Sequence, residues 1–145
     1  MAVRVSPMNR KWLLVIAFAS SLVALGLLAL PNAMLMRFAA DPDGDVAFHP
    51  VYTSWFDPGP MAYGMLLQPL ALLALTIALV NAGWTVLHQD KRDVQWWPAA
   101  AAIGVLGASI TMYQVWTWPA IASVLVSGIG LWALLMARHT APDTA

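Results

Sequence analysis

Three aspartates at alternate positions, Asp41, Asp43 and Asp45, carry the first chemistry that the sequence offers. Carboxylates with this spacing occupy the first three ligand positions of a common calcium-binding loop. Such a loop then requires a glycine, where this chain has Val46, and a final bidentate glutamate, where it has Tyr52. The pattern is therefore a partial match to a calcium site.

A second set of metal ligands combines His49 with four methionines that flank the same region, Met34, Met36, Met61 and Met65. Imidazole and thioether ligands suit copper(I). Methionine is also an ordinary filler of apolar cores, because its side chain is flexible and polarisable. The sequence is consistent with copper binding and with plain packing, and it identifies no cofactor.

The same acids also have a structural explanation. The stretch 41–45 alternates aspartate with proline and glycine, which is typical of tight turns. Asp57 followed by Pro58 is typical of a helix start, with aspartate as the N-cap and proline in the first turn. We therefore expect Asp57 to begin a helix.

The secondary-structure elements that carry these residues can be inferred from the composition, which is typical of a membrane protein. Of the 145 residues, 61% are hydrophobic and 10% are charged, and the mean hydropathy is +0.71. The length fits one membrane domain, residues 1–145. Basic and acidic residues number 7 each, so nucleic acid is not an expected partner. The lack of cysteine excludes disulfides, thiolate metal sites and dithiol redox chemistry.

Long segments without charge predict an all-α fold, an integral membrane four-helix bundle. They cover approximately residues 12–30, 61–87, 95–114 and 118–137. At about 1.5 Å per residue the first would be about 28 Å long, close to the hydrocarbon thickness of a bilayer. The last two are divided between Tyr113 and Pro119, where aromatic residues favour the interface and proline suits a new helix. A cleaved signal peptide is the alternative for the first segment, but that apolar run is longer than usual.

Basic residues predict the orientation, because short loops rich in Lys and Arg stay in the cytoplasm. In a four-span arrangement one side receives all of them except Arg37, namely Arg4, Arg10, Lys11, Lys91, Arg92 and Arg138. We therefore expect both termini, the inner loop 88–94 and the tail 138–145 to be cytoplasmic, and the larger loop 31–60 to lie outside. Tryptophans agree, with Trp12, Trp84, Trp96 and Trp97 marking the inner interface and Trp116 and Trp118 the outer one. The expected location is the plasma membrane, in a bacterium its inner membrane.

Small residues at helical spacing predict how the helices pack, because helix association in lipid depends on close approach and polar contacts. The faces concerned are Ala17, Ser20, Ser21 and Ala24 in the first span, Ala100, Gly104 and Ala108 in the third, and Ser123, Ser127, Gly130 and Ala137 in the fourth. We expect these faces to pack on one another. The short link between the third and fourth spans predicts an antiparallel pair.

The second span contains Gln68 and Pro69, and proline within a helix removes a hydrogen bond and favours a bend. The freed carbonyl then needs a partner, such as the Gln68 amide, a neighbouring helix or water. A bent helix either lines a substrate path or is a static kink within the bundle. We expect Asn81 and Thr76 to form hydrogen bonds between helices.

The outer loop is apolar for a soluble connection. Residues 33–40 have the composition for two helical turns lying on the membrane surface, and the aromatic residues between 48 and 56 are expected to cap the bundle or enter the interface. An apolar cap of this kind is also a surface on which a partner protein docks.

The interiors of the spans contain no Asp, Glu, Lys, Arg or His. Proton pumps, ion-coupled transporters and enzymes acting within the bilayer depend on such groups. We therefore expect no catalytic residues and a non-catalytic protein, an accessory or assembly subunit whose partners are the lipid bilayer and other membrane subunits or a second copy of itself. The alternative is an outer-face binding protein for copper, calcium or an apolar ligand such as a lipid or quinone. A small homo-oligomeric transporter is third.

Overall fold

Four helices and one antiparallel hairpin form the part of the chain that our computed structural model describes, residues 7–40, 47–57, 66–88 and 94–140. Side chains are described for residues 10–34, 52–57, 66–88 and 94–140. The elements, in chain order, are α1 (Pro7–Leu28), β1 (Met34–Ala40), β2 (Ala47–Thr53), α2 (Leu67–Leu87), α3 (Trp97–Tyr113) and α4 (Trp118–His139).

The four predicted helices are confirmed, and three of them are long and apolar enough to cross a membrane: α1, α2 and α4. The third, α3, is equally apolar but has 17 residues, which corresponds to about 26 Å of helix. The break between α3 and α4 lies where the aromatic residues and proline predicted it. Gln114 ends α3 in a left-handed conformation, with φ of 52°, and Pro119 lies in the first turn of α4.

Residues 33–40 differ from the prediction of two helical turns, which was wrong. Met34–Ala40 is a strand that pairs with Ala47–Thr53, from Met34 opposite Thr53 to Ala40 opposite Ala47. Pairing satisfies the backbone groups of both segments in a way that an isolated pair of helical turns does not. Pro50 is tolerated in β2 because each strand of a two-stranded hairpin has a free edge.

The start of α2 also differs from the prediction. The helix begins at Leu67, not near residue 61, so Pro69 lies in its first turn. The first four N–H groups of a helix have no helical partner, so a proline there removes no hydrogen bond. The structure therefore gives no reason for a bend at Pro69. Asp57 is not the N-cap of α2, because the residue before the first turn is Leu66.

The helices pack as a ring in which α1 contacts α4 most extensively, α2 contacts α3 and α1, and α3 contacts α4 least. The small-residue faces of α1 and α4 meet, and a Cβ added at Gly130 would lie 3.1 Å from the Cβ of Ser20. The face of α3 differs from the prediction, since Gly104 and Ala108 are exposed and Ala100 is half-buried. The buried face of α3 lies on its other side and includes Ala102 and Leu106.

Two apolar clusters form the core, one towards each end of the bundle. The cluster near the hairpin includes Leu28, Met34, Trp55, Leu106 and Val115. The cluster near the other end is formed by Leu14, Ala17, Val94, Ala99, Ala133, Leu134 and Ala137. The hairpin end is therefore closed by residues that come from the loops as well as from the helices.

Candidate functional site

The carbonyl oxygen of Ala33 joins three segments at the hairpin end of the bundle. The indole Nε1 of Trp55 donates to it at 2.9 Å, and the hydroxyl of Thr117 donates to it at 2.6 Å. The backbone N–H of Trp55 donates in turn to the carbonyl of Leu28 at 3.0 Å. The end of α1, the residues after β2 and the start of α4 are thus held together by hydrogen bonds rather than by charges. We call this the cap.

Gln68 ties the start of α2 into the cap. Its side chain is buried, and Nε2 donates to the carbonyl of Trp55. The aromatic ring of Trp55 is buried as well, so the prediction that aromatic residues of this loop cap the bundle is confirmed for Trp55. Tyr52 and Phe56 are exposed instead.

Asp57 serves the turn that follows β2. Its Oδ2 accepts a hydrogen bond from the backbone N–H of Ser54 at 2.8 Å, and the hydroxyl of Ser54 accepts one from the N–H of Phe56 at 3.0 Å. Such a turn, closed by an aspartate carboxylate, is a local backbone structure. It fixes the direction in which the chain leaves the hairpin and enters the cap.

An open cleft of about 490 Å³ lies beside the cap, and we call it the aromatic cleft. It is lined by Asn32, Tyr52, Trp116, Thr117 and Trp118. This volume is large enough to hold a small ring, and the cleft is open rather than enclosed. The three aromatic side chains are largely exposed, and Asn32 is half-buried.

The local backbone explains why two tryptophans reach this cleft. After the left-handed Gln114 the chain has no regular secondary structure as far as Thr117, which is extended with φ and ψ of −88° and 150°. Side chains of an extended segment alternate between two faces. Val115 and Thr117 accordingly point into the protein, while Trp116 and Trp118 are exposed.

The predicted metal ligands lie largely outside what the structure describes. Asp41, Asp43, Asp45, Met61 and Met65 are outside the described residues. His49 lies opposite Phe38 in the hairpin, and the side chains of His49 and Met36 are not described. Met34 is buried in the core cluster near the cap. Within the described ranges no group of three or more His, Cys, Asp or Glu side chains comes together.

The polar residues of the helices form separate contacts. Asn81 Nδ2 donates to the carbonyl of Gln95 at 3.0 Å, and Ser123 donates from α4 to the carbonyl of Ala24 in α1, also at 3.0 Å. Thr76 donates to Leu72 of its own helix, so the structure does not place it between helices. The hydroxyl of Ser127 is buried and has no hydrogen-bond partner among the described residues.

The outward face of α3 differs from those of the other helices. Between Pro98 and Thr111 its exposed residues are Ala101, Gly104, Ala108 and Thr111. A Cβ added at Gly104 would meet no atom within 4 Å. The exposed faces of the other three helices carry large apolar side chains, among them Phe18, Leu22 and Val23 of α1, Leu73, Ile77 and Val80 of α2, and Leu125, Ile129 and Trp132 of α4.

Comparison with protein families, with curated proteins and with solved structures found no match to this chain.

Proposed function

We propose that this chain is a non-catalytic integral membrane protein that crosses the bilayer four times and serves as an accessory or assembly subunit of a larger membrane complex. Three helices have the length and composition to cross a membrane. At about 26 Å the fourth, α3, is at the short end of the range for a crossing. The large apolar side chains exposed on α1, α2 and α4 are those that lipid tails solvate without cost.

The proposed orientation has both termini in the cytoplasm and residues 31–60 outside the plasma membrane. Its support is the excess of Lys and Arg in the termini and in the loop 88–94. Hydrogen bonds that join residues 33, 55 and 117 at one end of the bundle agree with this arrangement, because they require the first and third connections to be on the same side.

The proposal that the chain has a partner rests on the outward face of α3. Lipid-facing helices tolerate large apolar residues, whereas small residues let the backbones of two helices approach closely. Ala101, Gly104 and Ala108 give α3 a flat strip with no large side chain above it. A membrane helix of another protein packed on this strip would gain van der Waals contacts that lipid chains do not provide.

The short length of α3 favours the same conclusion. A helix shorter than the hydrocarbon thickness is accommodated by thinning of the bilayer or by association with other helices. The partner we propose is therefore a transmembrane helix of a different protein that lies against α3, with Gly104 near the point of closest approach.

The test is capture of the complex from native membranes in mild detergent, with Gly104→Leu compared with the unchanged protein. We expect a stoichiometric membrane protein to be retained by the unchanged protein and lost from Gly104→Leu. The matched control is Gly128→Leu, because a Cβ at Gly128 in α4 also meets nothing within 4 Å. This control variant should retain the partner.

Two results would contradict the accessory role. One is a monodisperse, partner-free protein after gentle extraction. The other is a complex that contains only this chain, which would make the α3 strip a contact between identical copies. Equal retention of the partner by Gly104→Leu and Gly128→Leu would mean that the partner does not bind to the outward face of α3.

A further inference from the structure

We propose that the aromatic cleft binds the head group of a quinone-type amphiphile, a neutral planar ring with carbonyl oxygens and an apolar tail. The cleft is formed by Asn32, Tyr52, Trp116, Thr117 and Trp118. This inference does not depend on the accessory role, because the cleft and the exposed strip of α3 share no residue.

The first argument is an excess of hydrogen-bond donors around the cleft. The amide of Asn32, the hydroxyl of Tyr52 and the indole N–H groups of Trp116 and Trp118 form no hydrogen bond within the described part of the chain. Thr117 differs, because its hydroxyl is already bonded to Ala33. An indole N–H can only donate, so the two tryptophans select a ligand with oxygen acceptors.

The N-terminus of α4 adds to this preference. Trp118 is the first residue of a helix of 22 residues, and the N-cap Thr117 makes no side-chain capping hydrogen bond. The partial positive charge at a helix N-terminus attracts atoms that carry negative charge. Carbonyl oxygens carry such partial charge, so the helix end and the side-chain donors favour the same kind of ligand.

The second argument concerns the charge and shape of the ligand. Among the described residues that line the cleft there is no Lys, Arg, His, Asp or Glu. Phosphate head groups are normally held by Arg or Lys. A cation would leave the indole N–H donors without an acceptor, so a neutral head group with oxygen acceptors fits better. Three aromatic side chains offer faces on which a planar ring stacks. A planar ring that bears carbonyl groups is neutral, accepts hydrogen bonds and stacks on aromatic side chains, so it meets both requirements.

A path for the tail leads away from the cleft along α4. Trp118, Ile121, Leu125 and Ile129 lie on one side of this helix and are all exposed. In a four-span protein this strip faces the lipid. A ligand with its ring in the cleft therefore has its tail along an apolar surface that runs towards the middle of the bilayer.

The test uses a benzoquinone with a decyl chain, titrated calorimetrically into the full-length protein in lipid nanodiscs, with empty nanodiscs as the blank. We expect saturable binding at one site per chain. Tyr52→Phe and Trp118→Phe each remove one donor but keep an aromatic ring, and each should weaken binding about fivefold. Trp118→Leu also removes the stacking surface and should weaken it about tenfold or more.

The matched control is Trp132→Leu. Trp132 is on the same helix as Trp118 and is similarly exposed, 53% against 58%, but it lies outside the cleft. Its replacement should leave the affinity unchanged. Thermal unfolding of each variant checks that the fold is intact, which we expect because the replaced side chains are exposed.

A second ligand separates recognition of the head group from partition into lipid. Decylbenzene has the ring and the tail but no oxygen, and we expect it to show no saturable binding. The proposal is overturned if the quinone gives the same heat as empty nanodiscs, if decylbenzene binds equally well, or if the cleft variants and Trp132→Leu bind alike.

Discussion

At the level of single residues, backbone carbonyls accept buried side-chain hydrogen bonds that join separate parts of the chain. Trp55 and Thr117 both donate to Ala33, and Ser123 donates to Ala24. A carbonyl oxygen has two lone pairs, so it can accept a bond from a side chain in addition to its backbone partner. In an apolar surrounding these bonds avoid the cost of a buried donor without a partner.

These donor–acceptor pairs could not be predicted from the sequence, although the types of residue that act as donors could. Serine and glycine at helical spacing indicated a face of α4, and the structure places Ser123, Ser127 and Gly130 on its buried side. The carbonyl partner of Ser123 lies 99 positions away in the chain. Every residue has a carbonyl, so no pattern of side chains marks the one that accepts.

Gly130 provides the sharpest prediction at the residue scale. In Gly130→Ala the new Cβ would lie 3.1 Å from the Cβ of Ser20 and 3.5 Å from the carbonyl oxygen of Ala17. The Cβ of Ser20 is bonded to the backbone of α1, so the two helices must move apart by a few tenths of an ångström to accept it. We expect the free energy of unfolding to fall by about 1–3 kcal/mol, as for other overpacked sites. Unfolding in mixed micelles of increasing SDS content measures it.

Gly128→Ala is the control for this prediction, because nothing lies within 4 Å of its added Cβ. Alanine within a helix is favoured over glycine by roughly 0.5–1 kcal/mol. The control should therefore be neutral or slightly stabilising, with a sign opposite to that of Gly130→Ala. Equal effects of the two substitutions would mean that α1 and α4 do not approach each other at Gly130.

At the scale of elements, the apolar runs were sufficient to predict α1, α3 and α4. An uncharged run that begins with a proline in its first turn predicted α4, because proline is favoured at the start of a helix and the run is long enough to cross a bilayer. The start of α2 was mispredicted, since the helix begins at Leu67 and the uncharged run in the sequence had placed it near residue 61. Hydropathy measures whether a segment tolerates an apolar surrounding, and it does not report where helical hydrogen bonding begins.

The hairpin was missed for a related reason. Residues 33–40 are apolar apart from Arg37 and have no strict alternation, so their pattern does not separate a strand from helical turns. The partner strand decides between the two, and it lies beyond a six-residue connection rich in aspartate, proline and glycine. Those turn residues were recognised in the sequence, but as turns or metal ligands rather than as the link of a hairpin.

Gln68 tests the connection between α2 and the cap. In Gln68→Leu the carbonyl of Trp55 loses its side-chain donor in a buried position. We expect the cap to open more often, so that the amide of Trp55, which donates to Leu28, exchanges its hydrogen about tenfold faster. Hydrogen–deuterium exchange followed by mass spectrometry measures the rate for peptides that cover residues 53–57.

The control is Asn81→Leu, which removes an amide side-chain bond to a carbonyl, that of Gln95, nearer the opposite end of the same helix; this bond is exposed, whereas that of Gln68 is buried. It should leave exchange at residues 53–57 unchanged. If Gln68→Leu exchanges there as slowly as the unchanged protein, the cap does not depend on the start of α2.

At the scale of the whole molecule, the aromatic cleft could not be predicted from the sequence. Asn32, Tyr52, Trp116 and Trp118 come from three separate parts of the chain and meet only once the cap has formed. Trp116 and Trp118 were identified in the sequence as markers of the outer interface, a role that any interfacial tryptophan fulfils. Their alternation with Val115 and Thr117 was the available sign that both tryptophans lie on one exposed side.

The central claim of our account is that the chain crosses the bilayer four times. The short helix α3 is the crossing that most needs a direct test. The chain contains no cysteine, and single cysteines can therefore be introduced at Asp45, Lys91 and Gln114 without a background signal. Labelling of intact cells with a membrane-impermeant maleimide measures which positions face outwards. We predict that positions 45 and 114 react in intact cells and that position 91 reacts only after the membrane is opened. Reaction of positions 45 and 91 from the same side, or of 91 and 114 from the same side, would contradict the four crossings.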